Sequence, residues 1–163
     1  MYHRLKIKSV KDFKLQIQNL TLIILLFCIP IIMEGQNYQW AKSFKGTGDD
    51  YNGDIAVDDN GNIYCIGNLK GTCDFDPGFD SFNLTSAGDF DIYLSKLDVN
   101  GNFVWAKKIG SNREDVGFAI TLDNSGNIYA TGWFTGTVDF DPGISTYNLT
   151  CYEDNCFILK LDP

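Results

Sequence analysis

An internal repeat of 65 residues constrains the fold of this chain more than any other feature of its sequence. The segments that recur at this spacing are WAK (positions 40 and 105), GNIY (61 and 126), DFDPG (74 and 139) and NLT (83 and 148). The KLD segment at position 96 recurs after 64 residues, at position 160, so we expect that the second copy has lost one residue near position 88. Tandem copies of this length predict stacked supersecondary units, one for each copy.

Each copy has the pattern of four β-strands. Apolar residues alternate with polar ones, and β-branched and aromatic residues are dense, whereas helical periodicity is absent. In the first copy the predicted strands are Asp54–Asp58, Ile63–Ile66, Ile92–Leu97 and Phe103–Ile109.

Three segments with the order Asp-x-x-Gly-Asn separate the predicted strands, and they begin at Asp58, Asp98 and Asp123. The Asp side chain accepts hydrogen bonds from nearby backbone amides, and the Gly adopts the positive φ that such a turn requires. We therefore expect antiparallel hairpins at these places. Lys70–Asp89 in the first copy and Gly136–Asp154 in the second are predicted to be long loops.

These elements predict an all-β fold of tandem four-stranded antiparallel meanders, which form two β-propeller blades of an incomplete propeller. Repeat one spans about residues 40–104 and repeat two about residues 105–163. We expect the second unit to lack its outer strand, and Trp40–Phe44 to be an outer strand without a unit of its own. Two blades leave apolar faces and strand edges uncovered. We therefore expect either a fragment of a longer chain, which we favour, or copies that self-associate into a ring.

The first 35 residues differ from the rest of the chain. Arg4 and four lysines precede the apolar run Leu20–Met33. This order predicts a signal-peptide helix within residues 1–35 and a mature repeat region of residues 36–163. The apolar run has 14 residues, whereas a membrane-spanning helix needs about 20. We expect no stable membrane span after signal cleavage, and a retained anchor is the alternative.

The charge balance changes once the leader is removed. Residues 1–35 hold five of the 13 basic and two of the 21 acidic residues, so 8 basic and 19 acidic residues remain, with a net charge of −11. Phosphate is repelled by such a surface, so no nucleic acid partner is expected. The single histidine, His3, lies in the leader, which excludes Ser-His-Asp and Cys-His catalysis from residues 36–163.

Four cysteines follow the leader. An exported chain meets an oxidising compartment, so disulfides between Cys65 and Cys73 or between Cys151 and Cys156 are allowed. Buried free thiols are an equal alternative. The spacings do not match a paired zinc motif.

The combined run of these motifs, from WAK through DDNGNIY, DFDPG and FNLTSAG to DIYLSKLDVNGNFVWAK, resembles the seven-bladed β-propeller repeats of the SBBP type. Such repeats occur in large exported proteins of Bacteroidetes-like bacteria. The resemblance covers residues 38–163. It implies placement outside the cell or at the cell surface and a scaffold or binding role, and it carries no catalytic residues.

The Asp-Phe-Asp-Pro-Gly loops are the best candidate site. In extended backbone Asp74 and Asp76 point to one side with Phe75 opposite, and Asp139 and Asp141 are their counterparts. Paired carboxylates are hard oxygen ligands, so calcium is the candidate cofactor for these loops. The alternative, which we favour, is a Pro-Gly turn held by Asp hydrogen bonds, with the intervening Phe packed inward. A glycosidase centre is less favoured, because the motif occurs once in each repeat.

Aromatic side chains also suit carbohydrate, since they stack on sugar rings. Trp40 and Trp105 hold equivalent repeat positions, so we expect them to pack between blades. Trp133 replaces Asn68 of the first copy and is the candidate ligand-binding residue at the surface.

The sequence as a whole predicts an exported, non-enzymatic β-propeller repeat protein, secreted or at the cell surface. Its expected role is to bind a protein or glycan partner, or to act as a scaffold, without a cofactor. The alternatives are a calcium- or carbohydrate-binding oligomeric module and a fragment of a secreted glycoside hydrolase or lyase.

Overall fold

The computed structural model describes residues 35–163, and Gln39–Pro163 form one compact unit. The strands are β1 (Lys45–Gly46), β2 (Tyr51–Val57), β3 (Ile63–Leu69), β4 (Thr72–Asp74), β5 (Asn83–Thr85), β6 (Asp91–Leu97), β7 (Phe103–Ile109), β8 (Val116–Leu122), β9 (Ile128–Asp139) and β10 (Asn148–Leu161). Within this part of the chain there is no helix, and so none that could cross a membrane. The all-β prediction is confirmed, whereas the predicted signal-peptide helix lies outside the described residues.

The first repeat forms a four-stranded antiparallel sheet with the order β2-β3-β6-β7, which we call blade one. Along β3, Tyr64 and Ile66 face one side of the sheet and Cys65 faces the other, because strand side chains alternate. Ile66 pairs with Asp54 on β2 and with Leu94 on β6, which makes β3 an inner strand. This order is the meander that the sequence predicts.

The turns between these strands have the predicted chemistry. Oδ1 of Asp58 accepts hydrogen bonds from the amides of Asn60 and Asn62, both at 2.9 Å. Gly61 has a φ of 81°, a left-handed value that favours glycine. The turns that begin at positions 98 and 123 repeat this pattern of bonds.

The second repeat forms a three-stranded sheet with the order β8-β9-β10, which we call blade two. Its strand register copies that of blade one. Asp54 pairs with Ile66 after a β-bulge, and 65 positions later Ala119 pairs with Thr131 after the same bulge. The edge of β10 that corresponds to the β6 edge paired with β7 carries no strand in the described residues.

The predicted long loops contain a further hairpin that the sequence did not indicate. In repeat one, Thr72 on β4 lies opposite Thr85 on β5, and β1 joins them as a third strand. In repeat two the equivalent residues belong to the main sheet, since β9 and β10 continue and place Thr137 opposite Thr150. Each repeat therefore extends its inner strands into a ribbon beyond the blade.

The predicted loss of one residue is visible in this register. Leu69 pairs with Asp91 in blade one, and the equivalent pair in blade two is Phe134 with Asn155. Phe134 follows its counterpart Leu69 by 65 positions, whereas Asn155 follows its counterpart Asp91 by only 64. The missing residue therefore falls in the bulge between Cys151 and Asn155. A shorter bulge interrupts the ladder less, which is consistent with the continuous β9–β10 pair.

Two apolar clusters stabilise the blades. The larger cluster lies between them and is built from Tyr64, Ile66, Ile92, Leu94 and Ile109 of blade one together with Ile120, Ile128, Ala130, Phe134, Val138, Phe140, Cys151 and Phe157 of blade two. The smaller cluster covers the other face of blade one and holds Cys65, Leu69, Cys73, Phe75, Tyr93 and Ala106. Strand β8 contacts β2, β3 and β6, so blade two stacks on blade one through its first strand.

The expectation of an outer strand at Trp40–Phe44 is wrong for this structure, in which strand β1 begins only at Lys45. An outer strand forms only where an inner strand offers an unpaired edge. The outer edge of β6 is already paired with β7, so it offers none to Trp40–Phe44. Trp40 is 37 % exposed, and its Nε1 donates a hydrogen bond to the carbonyl of Val99 at 3.2 Å.

Candidate functional site

The Asp-Phe-Asp-Pro-Gly loop adopts the same structure in both repeats. Oδ1 of Asp74 accepts hydrogen bonds from the amides of Asp76 at 3.1 Å and Phe82 at 2.8 Å. Oδ1 of Asp139 accepts the equivalent bonds at 3.0 and 2.8 Å. In both loops the second Asp accepts a bond of 2.7 Å from the glycine amide two residues later. The carboxylates thus close each hairpin by satisfying backbone amides.

The Phe between the two carboxylates anchors each loop. Phe75 is 0 % exposed, and its ring centroid lies 4.9 Å from that of Phe44 and 4.7 Å from that of Tyr93. Phe140 is 5 % exposed and packs 5.0 Å from the ring of Phe157. The interpretation of a turn held by Asp hydrogen bonds with the Phe inward is confirmed.

Backbone hydrogen bonds also set the charge of the first carboxylate in each loop. The Phe82 amide lowers the pKa of Asp74, and the Tyr147 amide lowers the pKa of Asp139, because an N–H donor stabilises the ionised form. Both side chains are half-buried. They are therefore negatively charged at neutral pH.

A calcium ion at Asp74, Asp76, Asp139 and Asp141 stays a prediction. Within residues 35–163, no group of three or more His, Cys, Asp or Glu side chains is placed to hold a metal ion. Calcium takes six to eight oxygens, so each loop would have to supply most of them from backbone carbonyls. One oxygen of each carboxylate already accepts backbone amide bonds.

Trp133 lies on β9, opposite Val116 on one side and Cys156 on the other, and it is half-buried. Its counterpart Asn68 accepts a hydrogen bond of 2.7 Å from the Gly117 amide of the neighbouring blade. Trp133 therefore holds, in blade two, the repeat position that corresponds to the one through which blade one contacts blade two. Its role as a ligand-binding residue stays a prediction.

The other tryptophan prediction is confirmed in one of its two cases. Trp105 packs against the cluster between the blades, with its ring 6.2 Å from that of Tyr64. Trp40 lies outside any strand and does not belong to that cluster.

All four cysteines of the repeat region are free thiols. Cys65, Cys73 and Cys151 are buried and Cys156 is exposed. Burial raises the pKa of Cys73 to about 12, which keeps this thiol protonated. Of the two alternatives that the sequence left open, this structure has the free thiols.

A cleft of about 930 Å³ at the unpaired edge of β10 was not recognised as a site from the sequence. Trp105, Phe140, Tyr147 and Ile158 line it. In blade one the ring of Phe82 packs 4.8 Å from a Phe of β7, whereas its counterpart Tyr147 is 64 % exposed. The lining residue Tyr147 therefore lies where blade one has the contact between Phe82 and β7, and the repeat alignment contains the signal that locates the cleft.

Two fully buried carboxylates were also missed. Asp91 is 0 % exposed, and its Oδ2 accepts bonds from Nζ of Lys108 at 2.6 Å and from the Ala87 amide at 2.8 Å. Asp115 accepts bonds from the amides of Ser111 and Thr135, and burial raises its pKa. These groups fix the connections between strands, and no sequence motif singled them out.

Stacked antiparallel units of one repeated design, each with the same loop, define a β-propeller-like repeat protein. The chain is similar to an uncharacterized WD repeat-containing protein of Acanthamoeba polyphaga mimivirus, with 28 % identity over 110 residues. The match covers 59 % of this chain and 8 % of that protein, so the chain spans less than a tenth of its relative. No protein-family profile matches the chain.

Proposed function

We propose that this chain is an exported, non-enzymatic β-propeller repeat module that acts as a scaffold or binds a partner at the cell surface or outside the cell. The narrower assignment, to SBBP-type repeats of Bacteroidetes-like bacteria, rests on the sequence motifs of residues 38–163. The observation that carries the proposal is the duplication of the loop, with equivalent hydrogen bonds in both repeats.

Duplication favours display over catalysis. A catalytic centre is a single constellation of groups, whereas the two carboxylates of this loop occur once in each blade and hold their own hairpins. At the tips of the loops, Phe79 and Ile144 hold equivalent repeat positions and are fully exposed. Apolar side chains presented at a repeated spacing on these ribbons suit a binding surface.

The first experiment separates binding from hydrolysis. The full chain is incubated with a panel of soluble polysaccharides, and the release of reducing ends is measured. The proposal predicts no release above that of the double variant Asp76→Asn/Asp141→Asn. Release by the native chain that the double variant loses would establish the glycoside hydrolase alternative and refute a non-enzymatic role.

Export is tested separately by expressing the full chain with a C-terminal tag and determining its location and its N-terminal residue. The basic and apolar segments of residues 1–35 support removal of a leader near position 35. We expect a processed chain outside the cytoplasm. An unprocessed cytoplasmic chain would contradict this part of the proposal, and an unprocessed membrane-bound chain would support the retained anchor.

A second candidate function is calcium or carbohydrate binding, favoured by the ionised carboxylates of the loops and by Trp133. If calcium binds there, it raises the melting temperature of the native chain, and Asp76→Asn/Asp141→Asn removes the rise. Asp80→Asn, an exposed carboxylate of the same loop, is the matched control and keeps it. Binding on a glycan array that Trp133→Ala abolishes would support the carbohydrate alternative.

A further inference from the structure

Each Asp-Phe-Asp-Pro-Gly loop contains a peptide bond between an aspartate and a proline. The first is Asp76–Pro77, and the second is Asp141–Pro142, 65 positions later. The nitrogen of such a bond belongs to a tertiary amide, which is more easily protonated and released than the nitrogen of a secondary amide. The carboxylate of the aspartate is a nucleophile within reach of its own main-chain carbonyl carbon. Each repeat therefore carries a chemically labile bond in its loop.

The carboxylate of each loop is folded along this labile bond. Oδ1 of Asp76 accepts a hydrogen bond of 2.7 Å from the amide of Gly78, and Oδ1 of Asp141 accepts one of 2.7 Å from the amide of Gly143. The ring that this hydrogen bond closes contains the carbonyl carbon of the aspartate and the nitrogen of the proline. The carboxylate is therefore held beside the carbon atom that it would attack.

Other aspartates have one of these two features without the other. Asp162 precedes Pro163 but lies outside the two loops. The amide two residues later is also accepted by several aspartates that do not precede a proline, namely Asp58, Asp74, Asp98, Asp123 and Asp139. The folded carboxylate and the proline thus coincide at Asp76 and Asp141, at the same position of each repeat.

The main chain before each labile bond is anchored. Phe75 is 0 % exposed and Phe140 is 5 % exposed, so the residue that precedes each reacting aspartate is fixed in an apolar cluster. The amide of Asp76 donates to Oδ1 of Asp74 at 3.1 Å, and the second loop has the equivalent bond at 3.0 Å. The reacting atoms therefore need little further ordering before the attack. The glycine after each proline is exposed, so water reaches the loop.

From these observations we propose that the chain cleaves itself at Asp76–Pro77 and Asp141–Pro142 in mildly acidic water. An oxygen of the ionised carboxylate attacks the main-chain carbonyl carbon of its own residue, and a C–O bond forms. The C–N bond to proline then breaks, its electron pair stays on the proline nitrogen, and that nitrogen takes up a proton from the solvent. Water adds to the cyclic anhydride that remains and restores two carboxyl groups, so each cleavage consumes one water molecule.

The charged groups around the loops explain why mild acid is needed. The attack requires an ionised carboxylate, whereas release of the nitrogen requires a proton. Residues 36–163 contain no histidine, so the solvent supplies this proton. Ammonium groups nearby favour the ionised carboxylates. The charged neighbours are Asp74, Asp80 and Lys45 at the first loop and Asp139, Lys107 and Lys160 at the second.

The strands on both sides of each cleaved bond stay paired. Thr72 lies opposite Thr85 across the first loop, and Asn148–Leu161 pairs with β9 beyond the second. Cleavage therefore leaves the blades associated and gives each loop a new N-terminal proline. This is a single reaction of the chain on itself, so the inference does not rest on the proposed binding or scaffold role.

The test incubates the purified full chain at about pH 5 and about pH 8, and mass spectrometry measures the new chain ends. At the lower pH, both loop bonds should break roughly 10- to 100-fold faster than Asp162–Pro163 in the same sample, because a positioned nucleophile has this advantage. In concentrated urea the loops unfold, and the three bonds should break at similar rates.

The two repeats serve as controls for each other. Asp76→Asn removes the attacking carboxylate and retains an oxygen that accepts the Gly78 amide, so it should abolish cleavage after residue 76 and leave cleavage after Asp141 unchanged. Asp141→Asn should give the reverse, and circular dichroism checks that both variants keep the β-fold. A native chain that stays intact, loop bonds that break no faster than Asp162–Pro163 or no faster than in urea, or cleavage after residue 76 that persists in Asp76→Asn would each overturn the proposal.

Discussion

Replacing Phe75 by alanine tests the conclusion that the Asp-Phe-Asp-Pro-Gly loops are anchored turns. Phe75 is 0 % exposed and contacts the rings of Phe44 and Tyr93 at centroid distances below 5 Å. Removing a buried phenylalanine costs about 3–5 kcal/mol, which includes the cavity that remains. A domain of this size has a free energy of unfolding of about 5–15 kcal/mol, so Phe75→Ala removes a large fraction of it.

The measurement is urea unfolding followed by tryptophan fluorescence, with thermal unfolding as a second probe. We expect the transition of Phe75→Ala at a much lower urea concentration, and a melting temperature lower by roughly 10–20 °C. Phe79→Ala is the matched control, because Phe79 lies four residues away in the same loop and is 111 % exposed. Its free energy of unfolding should stay within about 0.5 kcal/mol of the native value.

Two results would refute this reasoning. One is a Phe75→Ala protein as stable as the native chain, which would mean that the ring does not anchor the loop. The other is an equal loss for Phe75→Ala and Phe79→Ala, which would mean that the loop is sensitive to any loss of aromatic surface. Phe140→Ala should repeat the result of Phe75→Ala in blade two, since Phe140 is 5 % exposed.

Buried and ionised groups give three further predictions. Five turn carboxylates have lowered pKa values in the folded state, so their stabilisation holds above the unfolded pKa of about 3.9 and is lost on acidification. These carboxylates are Asp58, Asp74, Asp98, Asp123 and Asp139. The melting temperature should therefore decrease as the pH is lowered below about 4, and a melting temperature that stays constant there would contradict this. Lys108→Met leaves the carboxylate of Asp91 buried without its ion-pair partner and should cost about 3–5 kcal/mol in urea unfolding, part of which Asp91→Asn should restore. A maleimide should label Cys156 in the folded chain while Cys73 reacts only after unfolding, and peptide mapping that finds equal labelling would disprove the burial of Cys73.

The sequence predicted those parts of the fold that depend on local chemistry. An Asp that bonds to amides and a Gly with positive φ determine each turn within five residues, so the hairpin at Asp58 follows from its own segment. The repeat spacing then fixed the register of blade two, including the single lost residue. The inward Phe of the loop was likewise readable from strand alternation.

Other parts depend on partners distant in sequence and could not be predicted. The hairpin of β4 and β5 has only three residues in each strand, too few for a periodic signal. Lys108 meets Asp91 because β6 and β7 pair in the sheet, and the loop after β5 donates the Ala87 amide to the same carboxylate. Trp40–Phe44 has the sequence of a strand, but a strand forms only where an inner neighbour is available.

Blade one and repeat one do not share a boundary. The outer strand β7 spans Phe103–Ile109, so most of it is encoded by the second repeat although it completes the first sheet. Each copied unit is thus fastened to the one before it through main-chain hydrogen bonds. A duplication or deletion of 65 residues in the gene would keep each inner strand paired with an equivalent outer strand. Truncation after residue 104 would instead remove most of β7, the outer strand of blade one.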